Sequence, residues 1–103
     1  MKTGPRVSAQ TLLVLEFFLA RSADWQYGYD ISKATGLKSG TLYPILMRLA
    51  EHKLLEAEWQ APEPGRPPRH IYRITKTGRL FAQERMESRK LRVRQPLASG
   101  GKA

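Results

Sequence analysis

Residues 27–49, YGYDISKATGLKSGTLYPILMRL, decide how the rest of the chain is read. They divide into a short helix, a tight turn at Gly36-Leu37-Lys38 and a longer helix that opens at Ser39. Gly36 suits the left-handed conformation that ends a helix, and Leu37 then plugs the turn into a core. Two helices joined by a glycine-bearing turn make a helix-turn-helix. The second helix of such a unit fits a DNA major groove.

That second helix has two faces. At 100° per residue, Leu42, Ile45, Leu46 and Leu49 share one arc, which predicts a core face. The opposite arc holds Gly40, Thr41, Pro44, Met47, Arg48 and Glu51, with Tyr43 at its edge. Its N-terminal half is small, hydroxylated and aromatic, with no acidic side chain before Glu51. A merely solvated face would carry Lys and Glu pairs; this one suits close approach to a groove, with phosphates near the helix N-terminus. Pro44 falls near the end of the first turn, where a missing N–H costs little.

Upstream, Ser8 is placed to cap a first helix running to about Arg21. Its apolar residues lie nearly all round: Leu12, Leu13, Val14, Leu15, Phe17, Phe18 and Leu19. A helix apolar on every side needs cover on more than one side. In a chain of 103 residues the second cover is either a partner subunit or the domain itself. Ser22 to Gln26 reads as a connector in which Trp25 closes over the core or faces a ligand. The short second helix, from about Tyr29 to Thr35, is expected to turn Ile31 and Ala34 inward.

Downstream of Lys53 the period changes from helical to two. Leu55, Ala57 and Trp59 alternate with Glu56, Glu58 and Gln60, predicting a strand with one buried face. Residues 61–69, APEPGRPPR, contain four prolines and one glycine. Proline cannot continue a strand ladder, so this is a stiffened loop. His70 to Ile74 returns as a second strand, giving a hairpin whose long tip carries Arg66 and Arg69. Thr75 then caps a last helix from Lys76 to about Arg94, with Leu80, Phe81 and Leu91 on one stripe and Ala82, Met86 and Val93 on another. The fold class is therefore mainly α with a small β-hairpin: a winged helix-turn-helix over residues 8–75 and a C-terminal helix over 76–94. A flexible arm (1–7) and a disordered, low-complexity tail (95–103) flank it.

Charge and composition narrow the partner. There are 18 Lys+Arg against 9 Asp+Glu, a net charge of +9, which favours a polyanion. No cysteine is present, which suits a reducing cytoplasm, and the apolar run from Leu12 to Ala20 is too short to span a bilayer. A cytoplasmic protein that does not associate with membranes is expected. Enzyme chemistry needs convergent groups. The imidazoles are only His52 and His70, no glycine-rich phosphate loop follows a strand, and two histidines without cysteine make a poor zinc site. No catalytic, metal or cofactor site is expected.

With these residues laid out, the chain resembles the PadR family of bacterial transcriptional regulators. In that family a Tyr-Gly-Tyr segment precedes the second helix and Ser-Gly-Thr-Leu-Tyr-Pro opens the recognition helix, here Ser39 to Pro44. The likeness continues through GRPPRHIYRITKTGR, similar to the family's wing, returning strand and Thr-x-x-Gly start of the last helix. It covers about residues 8–85. The resemblance implies a homodimeric operator-binding regulator, commonly a repressor, that a ligand or another signal releases. It also implies a dimer built from the first and last helices, here through Leu12, Leu15, Phe18 and Leu19 with Leu80, Phe81, Met86 and Leu91. With one helix after the wing, the chain is similar to the short subgroup. Some members bind flat aromatic compounds through a tryptophan of the C-terminal helix; no tryptophan follows Trp59, so that site is not carried over.

The expected DNA contacts follow. Arg48 is placed for a bidentate contact to guanine or phosphate. Ser39, Gly40 and Thr41 offer backbone N–H groups and hydroxyls beside Pro44. Tyr43 either donates to a phosphate or packs beneath the wing. Lys33 and Lys38 flank the turn and position the duplex electrostatically, and Arg66 and Arg69 suit a minor groove or flanking phosphates. The alternative is a winged helix that binds DNA without sequence preference, or binds only protein. A small-molecule effector lodged between the first and last helices is compatible with the regulator.

Overall fold

The computed structural model describes residues 7–21 and 24–94. Residues 1–6 of the arm expected at 1–7, the tail at 95–103 and the side chains of Leu91 and Val93 lie outside the described residues. The chain runs α1 (Ala9–Leu19), β1 (Gln26–Tyr27), α2 (Gly28–Thr35), α3 (Ser39–Glu51), β2 (Leu55–Gln60), β3 (Arg69–Ile74) and α4 (Lys76–Arg94). The strands form one antiparallel sheet in the order β1-β3-β2.

Each helix starts and stops for a local reason. Ser8 caps α1, its hydroxyl accepting the Thr11 N–H at 3.1 Å. Gly36 ends α2 at φ 78°, a left-handed conformation that glycine adopts without a Cβ clash, and its N–H returns to the Ser32 carbonyl. The end of α3 is less ordinary. Lys53 adopts φ 65°, while its N–H bonds to the Ala50 carbonyl and the Leu54 N–H reaches back to Leu49. That is a Schellman closure with lysine at the position glycine normally fills, at a cost of about 1 kcal/mol. The return is that Leu54 and Leu49 both enter the core.

Thr75 joins the end of α3 to the start of α4. Its hydroxyl donates to the Lys53 carbonyl at 2.8 Å and accepts from the Gly78 N–H at 2.8 Å, and its own N–H bonds to the Leu54 carbonyl. Gly78 is buried in the first turn of α4, pressed onto that same strand-entry backbone.

The core is built from Val14, Leu15, Phe17 and Phe18 of α1, Ile31 of α2, the α3 face Leu42, Ile45, Leu46 and Leu49, then Leu54, Leu55, Tyr72, Ile74 and Ala82. Each fully buried leucine contributes about 2 kcal/mol. The α3 face matches its expected arc. Three other expectations do not hold. Leu15 (0 % exposed) and Phe18 (1 %) belong to the chain's own core, because α2, β3 and α4 pack around α1; neither is available to a partner subunit. Ala34 is exposed, since the short α2 turns only Gly28 and Ile31 fully inward.

The third correction concerns β2, where only Leu55 is buried. The helical body ends at that level, and the hairpin projects beyond it. Trp59 is 66 % exposed and instead lies flat on its cross-strand partner His70, with ring centroids 4.3 Å apart and planes 3° from parallel. Gln26 and Tyr27, expected to be connector and helix entry, form β1 by pairing with Tyr72 and Ile71. Among the described residues no helix is long and apolar enough to cross a membrane.

Candidate nucleic-acid interface

The exposed side of α3 is fixed by its buried side. With Leu42, Ile45, Leu46 and Leu49 seated, Gly40, Pro44, Met47, Arg48 and Glu51 are left in solvent and Thr41 is half-buried. Lys38 stands at the N-cap in extended conformation, with no side-chain capping bond. The Thr41 and Leu42 N–H groups both turn back to the Lys38 carbonyl, at 2.9 and 2.8 Å. Of the three expected N-terminal donors, Ser39 and Gly40 therefore direct their N–H groups out of the helix, while that of Thr41 is already engaged.

Pro44 is the sixth residue of α3, further in than the first turn where it was expected. There its ring removes the bond that the Gly40 carbonyl would accept. Gly40 is exposed, so water or an incoming donor satisfies that carbonyl. The opening turns of α3 thus carry unspent backbone polarity of both kinds.

Tyr43 is where two expectations divided, and the geometry favours packing. The residue is half-buried against the core, and its hydroxyl lies so close to Gly28 that a Cβ there would overlap it. Tyr43 thereby holds α3 against the entry to α2 and is not aimed outward. Together with Tyr27, Gly28, Tyr29, Trp59, Pro68, Arg69 and His70 it lines a groove of about 520 Å³ at the root of the wing. Beneath it, the Tyr72 phenol bonds to His70 Nδ1 at 2.9 Å. Burial, with the nearby Tyr43 phenol, pushes Tyr72 up to about 12. It therefore stays a neutral hydrogen-bonding group throughout the physiological range.

The wing tip is shaped by its own sequence. Glu63-Pro64-Gly65-Arg66 closes with the Arg66 N–H on the Glu63 carbonyl at 2.9 Å, and Gly65 is at φ 80°. Proline then glycine at the two central positions is the signature of a type II turn, and it presents Arg66 exposed at the exit. Arg69 is not at the tip as expected. It is the first residue of β3, paired with Gln60, with its guanidinium 5.0 Å from the centre of the Tyr27 ring. Arg66 is thus the arginine of the tip, while Arg69, also exposed, lies at the root of the wing.

The cations divide by location. Arg21 is folded over the Phe17 ring and donates to the Phe17 carbonyl at 3.0 Å. Arg73 pairs with Glu56 at 2.6 Å and lies over Trp25, and Arg85 lies over Phe81. By contrast Lys33, Lys38, Arg48 and Arg66 are all exposed on α2, α3 and the wing tip, with only Lys33 near a ring, 5.5 Å from that of Tyr29. These four form a basic face that an outside partner can reach; Lys53, Lys76 and Arg89 are exposed as well.

Comparison with known proteins agrees with this arrangement. Residues 19–84 match the model of the transcriptional regulator PadR-like family. A PadR-like transcription factor from Bacteroides fragilis is 35 % identical, with 79 % of this chain and 82 % of that chain aligned at a TM-score of 0.63. A PadR family transcriptional regulator from Eggerthella lenta is 30 % identical over 80 % of this chain and 69 % of that one (TM-score 0.62). A protein from Streptococcus mutans is 32 % identical over 81 % of each chain (TM-score 0.64). No curated protein matches the chain. The matched span runs from the end of α1 through the helix-turn-helix and wing into α4, so it contains the whole basic face just described, and the chain belongs to the PadR-like family of transcriptional regulators.

Proposed function

We propose that the chain is a homodimeric transcriptional repressor that places α3 of each subunit in successive major grooves of an inverted-repeat operator. The observation that carries this is the exposed side of α3: two turns without an acidic group, bounded by Lys38 and Arg48 and flanked by the arginine-tipped hairpin. Residues 8–75 are the DNA-binding unit, and α4 is the dimerisation helix.

Support for the dimer comes from apolar surface that the chain leaves uncovered. Leu80 on α4 is 61 % exposed and Leu13 on α1 is 41 % exposed. Around them Leu12, Leu19, Phe81 and Met86 are only half-buried. Since α1 and α4 pack together, these side chains offer a second copy a shared surface without Leu15 or Phe18. An operator half-site spacing of one helical turn follows from two-fold symmetry.

The test is selection of bound duplexes from a random pool with the purified protein. An inverted repeat supports the proposal, and it should survive a scrambled-sequence competitor by a factor of about 10³ or more. Recovery of no motif would establish the rival, a winged helix that binds DNA without sequence preference.

Two arginine substitutions apportion the site. Arg48→Ala is expected to weaken operator binding by about 1–3 kcal/mol and to relax preference at one base pair. Arg66→Ala should weaken binding to all sequences more evenly. Both side chains are exposed, so the melting temperature and dimer should be unchanged in each. A fall in melting temperature would assign that arginine a structural role.

A further inference from the structure

The outermost line of α3 differs from its flanks. Taking the centre of the buried face as reference, the positions lying most nearly opposite are Gly40, Pro44, Met47 and Glu51, at 100° per residue. Arg48 and Thr41 lie to one side of that line and Tyr43 to the other. From Gly40 to Met47 the line carries no side-chain hydrogen-bond donor or strong acceptor. It offers bare backbone, a pyrrolidine ring and a thioether. The seven rises of about 1.5 Å between Gly40 and Met47 span about 10 Å, the height of about three base pairs.

Met47 is 57 % exposed and stands outside both the buried core and the half-buried side chains packed against it. An exposed methionine in the centre of a recognition helix serves no packing purpose inside this chain. In a major groove the edges of the four base pairs are distinguished by hydrogen-bonding groups and by one apolar feature, the C5-methyl of thymine. The side chains of the strip neither donate nor accept strongly, so the methyl is the feature that they can recognise.

We propose that Met47, with Pro44 beside it, is a specificity-determining residue that selects thymine by packing on its C5-methyl group. This rests on the operator-binding function proposed above. Arg48, off the central line, anchors guanine or phosphate at the flank. Glu51, next along the line, closes the strip, since a carboxylate there is repelled by the phosphates.

The experiment uses the full-length protein and the duplex recovered from the random pool. Each thymine of a half-site is replaced in turn by deoxyuridine, which removes the methyl and nothing else. At one or two positions this should weaken wild-type binding about four- to tenfold, the worth of burying a methyl group or somewhat more. With Met47→Ala the same replacement should have no further effect, whereas Arg48→Ala, weaker overall, should keep the full sensitivity. Met47→Gln, which retains length and gains an amide suited to adenine, should lose the thymine preference on reselection.

Equal sensitivity to deoxyuridine in wild type and Met47→Ala overturns the assignment, as does a wild-type operator insensitive at every thymine. A lower melting temperature in both Met47 variants would also overturn it, because the side chain would then be structural. A pool that yields no motif overturns the operator-binding function as well. A clear motif with silent thymines overturns only the role given to Met47.

Discussion

Gly78→Ala should destabilise the protein by about 3 kcal/mol, at the upper end of the range for overpacking, although the change adds a single methyl group to a helix. In an exposed helix interior the same substitution would stabilise by roughly 1 kcal/mol. The sign reverses because a Cβ on Gly78 would overlap the Leu54 carbonyl oxygen, with the carbonyl carbon 2.8 Å away and Ile74 Cγ1 at 3.0 Å. Backbone cannot step aside as a side-chain terminus can. Moreover, Leu54 O already accepts the Thr75 N–H, so moving it breaks the joint between α3, β2 and α4. Thermal unfolding followed by circular dichroism measures the loss; for a domain this small 3 kcal/mol corresponds to a fall of roughly 12–24 °C. A melting temperature within a few degrees of wild type would show that α4 can dock without the close approach. Gly40→Ala is the matched control, because no atom lies within 4 Å of the added methyl.

That joint shows which part of the fold was legible in the sequence. Thr75 as cap, Gly36 as terminator and the four-residue α3 core face are local signals, set within a turn or two of chain, and each appears where its residues predicted. What failed depended on distant chain. β1 has only two residues, Gln26 and Tyr27, too few to show a period, and it exists because β3 offers Ile71 and Tyr72 as partners. The alternation of Leu55, Ala57 and Trp59 was visible, but alternation says which side chains share a face and not whether anything covers that face. Here cover ends after Leu55. The same gap explains Leu15 and Phe18: an all-apolar α1 requires cover on several sides, and only the packing of α2, β3 and α4 says that the chain supplies most of it.

The site was legible to a similar depth. The exposed arc of α3 follows from its buried arc, so Gly40, Pro44, Met47 and Arg48 were placed by periodicity alone. Which donors are already occupied did not follow. The seating of Tyr43 against Gly28 and the lie of Arg69 over Tyr27 each depend on chain distant in sequence. The engagement of the Thr41 N–H is local: with Lys38 at the N-cap, the third N–H of the helix is the one that a tight first turn bends back.

The affinity of the proposed dimer for the operator that it selects is expected to fall about 10³-fold between 50 and 200 mM monovalent salt, the largest effect that the charge distribution implies. Four cations per subunit, Lys33, Lys38, Arg48 and Arg66, are exposed on the recognition side. If three of them reach phosphates, a dimer makes about six contacts, and log K against log salt should have a slope of roughly −5. The slope should respond selectively. Lys33→Ala removes one contact per subunit and should reduce it by about two, since each lost phosphate contact reduces it by about one. Arg73→Ala should leave it unchanged even though it removes the same formal charge, because Arg73 is tied to Glu56 at 2.6 Å and covers Trp25. Titrating a labelled operator by fluorescence anisotropy at several salt concentrations measures all three slopes. Equal slopes for the Lys33 and Arg73 variants would mean that affinity tracks the overall net charge of +9 and not the placement of cations. A slope near zero for wild type would mean that phosphates are not the partner of this face.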